Sequence, residues 1–275
     1  MHDFLVYASS LGPWTGSMEY AARLAAAESA SLSAVYVYPS PLHMMPAFGS
    51  PALLETIVDH ARRVEDESLA AESRFTAWAG NLGVRQSAWH IAEGFVPDAL
   101  AHIATWHDLL ILGRNGDMPW ESAADLGALV VRATLPCLVV PSCDRDPARF
   151  DCVALAWNGS PEGLRAIHAA RPVLARARRV VLLSGRRRDP LSEIGWRPAF
   201  DIRAYLNRHE IAVEEREIAA NDSEAGEALL DATNAVGADL LVMGAYGRNR
   251  FSEWMLGGAT RHVLAHAEVP VLMRH

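Results

Sequence analysis

Cysteine is scarce in this chain, with three in 275 residues. Cys137, Cys143 and Cys152 include no C-x-x-C pair, so free thiols in a reducing compartment are expected, with Cys137 in an apolar core run. No uninterrupted apolar run approaches the roughly 20 residues of a membrane span. The opening Met1-His-Asp-Phe-Leu-Val6 lacks the basic region and long apolar stretch of a signal peptide, and the expected location is the cytoplasm. Positive charge is not in excess: the net charge is −8, which does not invite bulk nucleic-acid binding. There is no G-x4-G-K-[ST] loop, which excludes a P-loop NTPase, and no G-x-G-x-x-G follows the first strand of either half. No Ser, His and Asp can be assigned as a catalytic triad.

What is present is the composition of an ordinary globular protein, 51% hydrophobic and 21% charged, on a chain long enough for one large or two medium domains. Short apolar runs alternate with helical patterns. Strands are expected at residues 4–8, 31–38, 84–91, 108–112 and 136–140, and helices at 17–29, 51–82, 97–106 and 123–132. A polar stretch at 143–150, containing Pro147, reads as a linker. The order then restarts, with strands at 153–157, 179–183, 213–218, 239–243 and 270–273 and helices at 162–175, 201–209, 223–236 and 260–267.

The halves overlay. Pro13 and Ala21-Ala-Arg23 match Pro161 and Ala169-Ala-Arg171 at an offset of 148; Asp108-Leu-Leu-Ile-Leu-Gly113 matches Asp239-Leu-Leu-Val-Met-Gly244 at 131; and Leu135-Pro-Cys-Leu-Val-Val140 matches Val269-Pro-Val-Leu-Met-Arg274 at 134. A repeat of this length means two domains, 1–142 and 151–275, not a solenoid. Strands alternating with helices imply parallel sheets covered on both faces, hence two doubly wound five-stranded α/β domains of Rossmann-like type. Such folds bind ligands beyond the carboxyl ends of the strands at the switch point. Asn158 and Gly244 follow the first and fourth expected strands of the second half, and a strand order that makes those two strands neighbours would bring them to one crevice.

The stretch Gly244-Ala-Tyr-Gly247-Arg-Asn-Arg-Phe-Ser-Glu-Trp-Met-Leu-Gly257-Gly258-Ala259-Thr260 has the spacing G-x2-G-x9-G-G-x-T between a strand and a helix. Glycine permits φ > 0 and close approach of a ligand to the backbone, and free amides at a helix start attract anions. The pattern resembles the nucleotide-binding loop of the universal stress protein family, with Gly258 standing where that family has a small hydroxyl or amide residue and Thr260 able to supply a hydroxyl. The tandem organisation resembles two such domains over nearly the full length.

That resemblance implies strand order 3-2-1-4-5, a pseudo-twofold pairing of the halves with their last strands at the junction, and a possible homodimer. It implies an adenine nucleotide, ATP in the first instance with Mg as its companion ion, bound in the C-terminal domain of a stress-response sensor or regulatory module. The implied contacts are Asn158 near adenine and ribose, Gly244 and Gly247 in the nearer loop, Arg248 against phosphate charge, and the amides of Gly257, Gly258, Ala259 and Thr260. Asn158 also suits a helix cap. Arg248, Arg250 and Arg186-Arg187-Arg188 also suit a solvated face. The first half offers Ser10 for Asn158, no glycine at the family spacing, and acidic Glu121 and Asp125 that repel phosphate, so one site per chain is expected. His262 and His266 have i, i+4 spacing but no evident third ligand, and Trp157 and Trp196 read as packing residues. The rival readings are a scaffold that binds no nucleotide and a slow adenine-nucleotide hydrolase. No catalytic residue and no membrane partner are assigned.

Overall fold

Runs such as Phe4-Leu-Val-Tyr-Ala8 and Val153-Ala-Leu-Ala156 offer no polar face, so the strands they form need cover on both sides. The computed structural model describes residues 1–40, 51–114, 118–141, 150–185, 201–221, 224–245 and 257–275, and in it helices alternate with strands along most of the chain. The first half runs β1 (Asp3–Ala8), α1 (Ser17–Glu28), β2 (Ser31–Tyr38), α2 (Pro51–Asn81), β3 (Ser87–Glu93), α3 (Val96–Ala104), β4 (Leu109–Gly113), α4 (Ala123–Arg132) and β5 (Cys137–Val140). The second runs β6 (Cys152–Trp157), α5 (Pro161–Leu174), β7 (Arg179–Ser184), α6 (Ile202–Arg208), β8 (Glu214–Glu217), α7 (Ala225–Ala235), β9 (Leu240–Gly244), α8 (Gly258–His266) and β10 (Val271–Arg274).

Contacts divide the chain into two compact units, the first built on Met1–Pro119 and the second on Trp120–Pro141 with the chain beyond the linker. The sheet of the first unit has the order β3-β2-β1-β4, all parallel. The sheet of the second has the order β5-β10-β9-β6-β7-β8, parallel except for β5. Read from β8 to β10, the strands of the second half follow the order 3-2-1-4-5. The units are not the sequence halves, because α4 and β5 join the second. There β5 pairs antiparallel with β10, Leu138 opposite Leu272, and α4 packs on α8. This is the expected meeting of the two last strands. β10 thereby gains a ladder on both sides, and its amides and carbonyls find partners away from water.

Matched aspartates hold the strand-one ends. The Asp108 carboxylate accepts from the His2 N–H at 2.6 Å, and the Asp239 carboxylate accepts from the Asp151 and Cys152 N–H groups at 2.7 and 3.2 Å. Cys137 is buried and its thiol is pushed up to about 12 by desolvation. Cys152 is buried too; desolvation raises its thiol against the opposing pull of Arg179. Cys143 lies outside the described residues.

Most element ends fall within two residues of expectation; β3 does not. It begins at Ser87, three residues late, because Gly83 at φ 91 ends α2 and the Val84 N–H turns back to the Ala79 carbonyl at 3.1 Å. Val84 thus closes a helix in a Schellman arrangement and does not open a strand. β8 is a fully exposed edge of sequence Glu-Glu-Arg-Glu, whose charges discourage pairing with another chain.

Candidate functional site

In the second unit β6 and β9 are neighbours, Val153 beside Leu240 and Leu155 beside Val242, so their carboxyl ends at Trp157 and Gly244 share one crevice. After β6 the chain turns at once into α5. The Asn158 Oδ1 accepts from the Ser160 N–H at 3.0 Å, Gly159 takes φ 80, and the Ser160 Oγ accepts from the Gly163 N–H at 3.1 Å. Pro161 then occupies the first helical position, where its missing N–H costs nothing. Asn158 is therefore part of a cap. Its carbonyl oxygen must face the Ser160 N–H, which fixes the amide orientation and leaves Nδ2 as a donor.

Gly244 answers to helix packing. A Cβ there would stand 2.5 Å from the Gly163 nitrogen and 2.6 Å from the Glu162 carbonyl carbon, so β9 and α5 touch backbone to backbone. Asn158 and Gly244 are thus brought together through the first turn of α5. Beside them lies Glu162, 2% exposed and paired with the Arg165 Nη1 at 3.5 Å. The sequence reading did not single it out; an acid just after a helix-starting proline was its signal. Its Cβ lies 2.9 Å from where a Gly244 Cβ would stand.

The helix α8 starts at Gly258, two residues before the expected Thr260. Gly257 is its N-cap, with φ −52 and ψ 125 and no side-chain cap. Its glycine is therefore not required by a positive φ, contrary to the expectation for this loop. The first backbone bond of the helix is Arg261 N–H to the Gly257 carbonyl, so the amides of Gly258, Ala259 and Thr260 have no acceptor within the helix. No described atom lies within 4 Å of a Cβ built at Gly258, and at Gly257 the nearest is the Thr260 Oγ1 at 4.0 Å. Thr260 is 5% exposed, and its hydroxyl has no hydrogen-bond partner among the described residues. Three amides and a hydroxyl at a helix start that has no side-chain cap among the described residues suit an oxyanion, and the helix dipole favours one there.

The equivalent helix of the first half, α4, begins differently. Ser122 is its N-cap; the Ser122 Oγ accepts from the Asp125 N–H at 3.2 Å, and the Asp125 Oδ2 accepts from the Ser122 N–H at 3.0 Å. This capping box satisfies the end internally and sets a carboxylate where an anion would otherwise sit. Ser10, the counterpart of Asn158, serves its own loop by accepting from the Gly12 N–H at 3.4 Å through Oγ and from the Trp14 Nε1–H at 3.2 Å through its carbonyl.

Gly247, Arg248, Arg250, Arg186-Arg187-Arg188 and Trp196 lie outside the described residues. Trp157 packs at the α5 start, 3.6 Å from where a Gly163 Cβ would be. The His262 and His266 rings lie 4.3 Å apart, the His266 Nδ1 2.9 Å from the His262 carbonyl oxygen, and among the described residues no three His, Cys, Asp or Glu side chains gather for a metal. No helix among the described residues is long and apolar enough to cross a membrane.

Residues 152–275 match the universal stress protein family. That match spans the switch point, the α5 cap and the α8 start. No curated protein matches the chain in sequence. A universal stress protein from Archaeoglobus fulgidus DSM 4304 superposes with a TM-score of 0.67 at 14% identity, covering 99% of this chain and 95% of that one. A protein of unknown function from Pseudomonas aeruginosa PAO1 superposes with a TM-score of 0.59 at 17% identity, covering 99% and 92%. These two share the fold over the whole chain. A universal stress protein in complex with cAMP is 25% identical, covers 46% of this chain and 98% of that one, and has a TM-score of 0.34.

Proposed function

We propose that this chain is a cytoplasmic stress-response protein that binds one adenine nucleotide, ATP in the first instance, in its C-terminal half and acts as a sensor or regulatory module. The observation that carries the reading is the contrast between the two equivalent helices: α8 starts on Gly257 with no side-chain cap, while α4 is sealed by Ser122 and Asp125. The family match over residues 152–275 and the G-x2-G-x9-G-G-x-T spacing support it. The amides of Gly258, Ala259 and Thr260 and the Thr260 hydroxyl would take phosphate oxygens. Asn158 Nδ2 would donate to the adenine and ribose end, and Gly247 and Arg248 would complete the loop. A companion Mg would draw its ligands chiefly from the phosphates and water, as that ion commonly does.

The test is a thermal shift with ATP, ADP, AMP and cAMP. A ligand near 100 times its dissociation constant stabilises the folded form by about 2.7 kcal/mol. For a protein of this size the melting temperature then rises by about 5 to 10 °C. Gly257→Val is expected to abolish the rise. The backbone at 257 accepts valine without a positive φ, so the variant fills space before the α8 amides and leaves the fold intact, which circular dichroism checks. Ala128→Val, on the exposed side of α4, is the matched control. Calorimetry is expected to give one nucleotide per chain. No shift with any adenine nucleotide at millimolar concentration would leave the scaffold reading in its place.

A further inference from the structure

The basic side chains of this protein are all arginine; the sequence contains no lysine. Three of them gather with two histidines on one face of the second unit. The Arg171 Nη1, in the last turn of α5, lies 3.5 Å from the Nε2 of His209 at the end of α6, and the Arg171 Nε donates to the His168 carbonyl at 3.3 Å. The Tyr205 ring stands between the histidines, 5.0 Å from His168 and 4.8 Å from His209, and the Arg208 guanidinium lies 6.0 Å from the Tyr205 centroid. From β10, Arg274 adds its charge; burial first, and then Arg171, His209 and Arg274, hold His168 below the usual imidazole range. The acid nearest in sequence is Glu210, exposed and turned out of the helix at φ 59. Among the described residues none of Arg171, Arg208 and Arg274 has a carboxylate within ion-pair distance.

A guanidinium is always a donor, so the Arg171–His209 contact requires a neutral His209 with Nε2 accepting. Protonation of His209 sets two cations 3.5 Å apart, with no carboxylate of the described residues paired to Arg171. A favourable helix dipole explains a single cation in the last turn of α5 or of α6, but not their convergence. The geometry points to Arg171 and His209, flanked by His168 and Arg208, as a docking site for a tetrahedral dianion of the phosphomonoester class, taken up together with a proton on His209. The proton comes from solvent onto Nε2, which turns from acceptor to donor. The Arg171 Nη1–H moves from Nε2 to an oxygen of the anion, and two charge-assisted hydrogen bonds to the anion replace the single Arg171–His209 one. Arg171 lies eight residues beyond Gly163, about 12 Å along the helix, so this face is separate from the α5 start and does not depend on nucleotide binding at α8.

Sulfate is the probe, because it remains a dianion from pH 5.5 to 8 and any pH dependence then belongs to the protein. Histidine ring resonances are followed by NMR through that range in sodium sulfate and in sodium chloride at equal ionic strength. The His209 titration midpoint is expected to move up in sulfate only, and sulfate to bind at least about threefold tighter at pH 6 than at pH 8, since the coupling between ion and proton is reciprocal. Glycerol phosphate is expected to compete. Arg171→Gln is expected to erase the effect, as is His209→Gln when read on His168, while Gly257→Val keeps it. Equal midpoints in the two salts would overturn the proposal. So would an effect that survives Arg171→Gln or disappears in Gly257→Val, since the ion would then lie elsewhere.

Discussion

Asp108 and Asp239 hold matched places in the two halves, yet their surroundings push them in opposite directions. At Asp108 the His2 hydrogen bond dominates and holds the carboxyl below its usual value. At Asp239 desolvation outweighs the hydrogen bonds from Cys152 and Asp151 and raises it. The unfolded reference is about 3.9. A depressed folded value means that the Asp108 contribution is present above that reference and is lost as pH falls through the folded value. A raised folded value means that the ionised Asp239 opposes folding near neutrality, and that this opposition fades as pH falls through its own folded value. Asp108→Asn is expected to cost about 1 kcal/mol at pH 7, modest because the site is open to water, and less at pH 3. Asp239→Asn should change the other way, its relative stability against wild type being higher at pH 7 than at pH 3. Urea unfolding at the two pH values measures both, and shifts of the same sign would contradict these environments.

At the scale of the element, two glycines end equivalent strands and meet equivalent helices, but not equally. A Cβ at Gly244 runs into α5 backbone, whereas one at Gly113 meets side-chain atoms, the Ser17 Oγ at 2.6 Å, the Met118 Cε at 2.8 Å and the Ser17 Cβ at 2.9 Å, of which the first two can rotate away. Gly244→Ala is expected to cost about 3 kcal/mol and Gly113→Ala about 1 kcal/mol, compared by denaturant midpoints at equal slope. The difference has a local origin. By the sequence offset Pro13 matches Pro161, but Pro161 starts α5 whereas α1 starts only at Ser17, one turn later. Gly16 at φ 59 breaks the helix there, and Trp14 is drawn into a cluster with Phe75, Trp78 and Trp89, ring centroids 5.4 to 5.6 Å away.

Apolar runs and helical periods made the strands and helices legible, because burial on both faces leaves a continuous signature. The glycine spacing pointed to α8. The α4 capping box was also written out, Ser122 followed three residues later by Asp125, although Asp125 read only as a repelling charge. What stayed hidden depends on distant partners. Glycine spacing alone does not say that Gly244 serves α5 while Gly257 keeps a negative φ. Nor does it show that the Asn158 carbonyl is taken by its own turn.

At the scale of the whole molecule, the second unit is incomplete without residues 120–141, because β10 has β9 on one side and β5 on the other. Residues 151–275 produced alone would present the Val271–Arg274 edge to solvent, an apolar row of unpaired backbone groups. That fragment is expected to self-associate in light scattering, while residues 120–275 remain monomeric at the same concentration. A monomeric, fully folded 151–275 would show that β10 does not need its antiparallel neighbour.

The β5–β10 ladder also bears on how such a chain can be recombined. The repeat visible in the sequence and the body that folds are different lengths of chain. A crossover in the linker would pass on a complete repeat yet separate it from the strand and helix that close its sheet. Exchange between relatives would be tolerated best with a breakpoint near residue 120, where α4 and β5 travel with the half they complete.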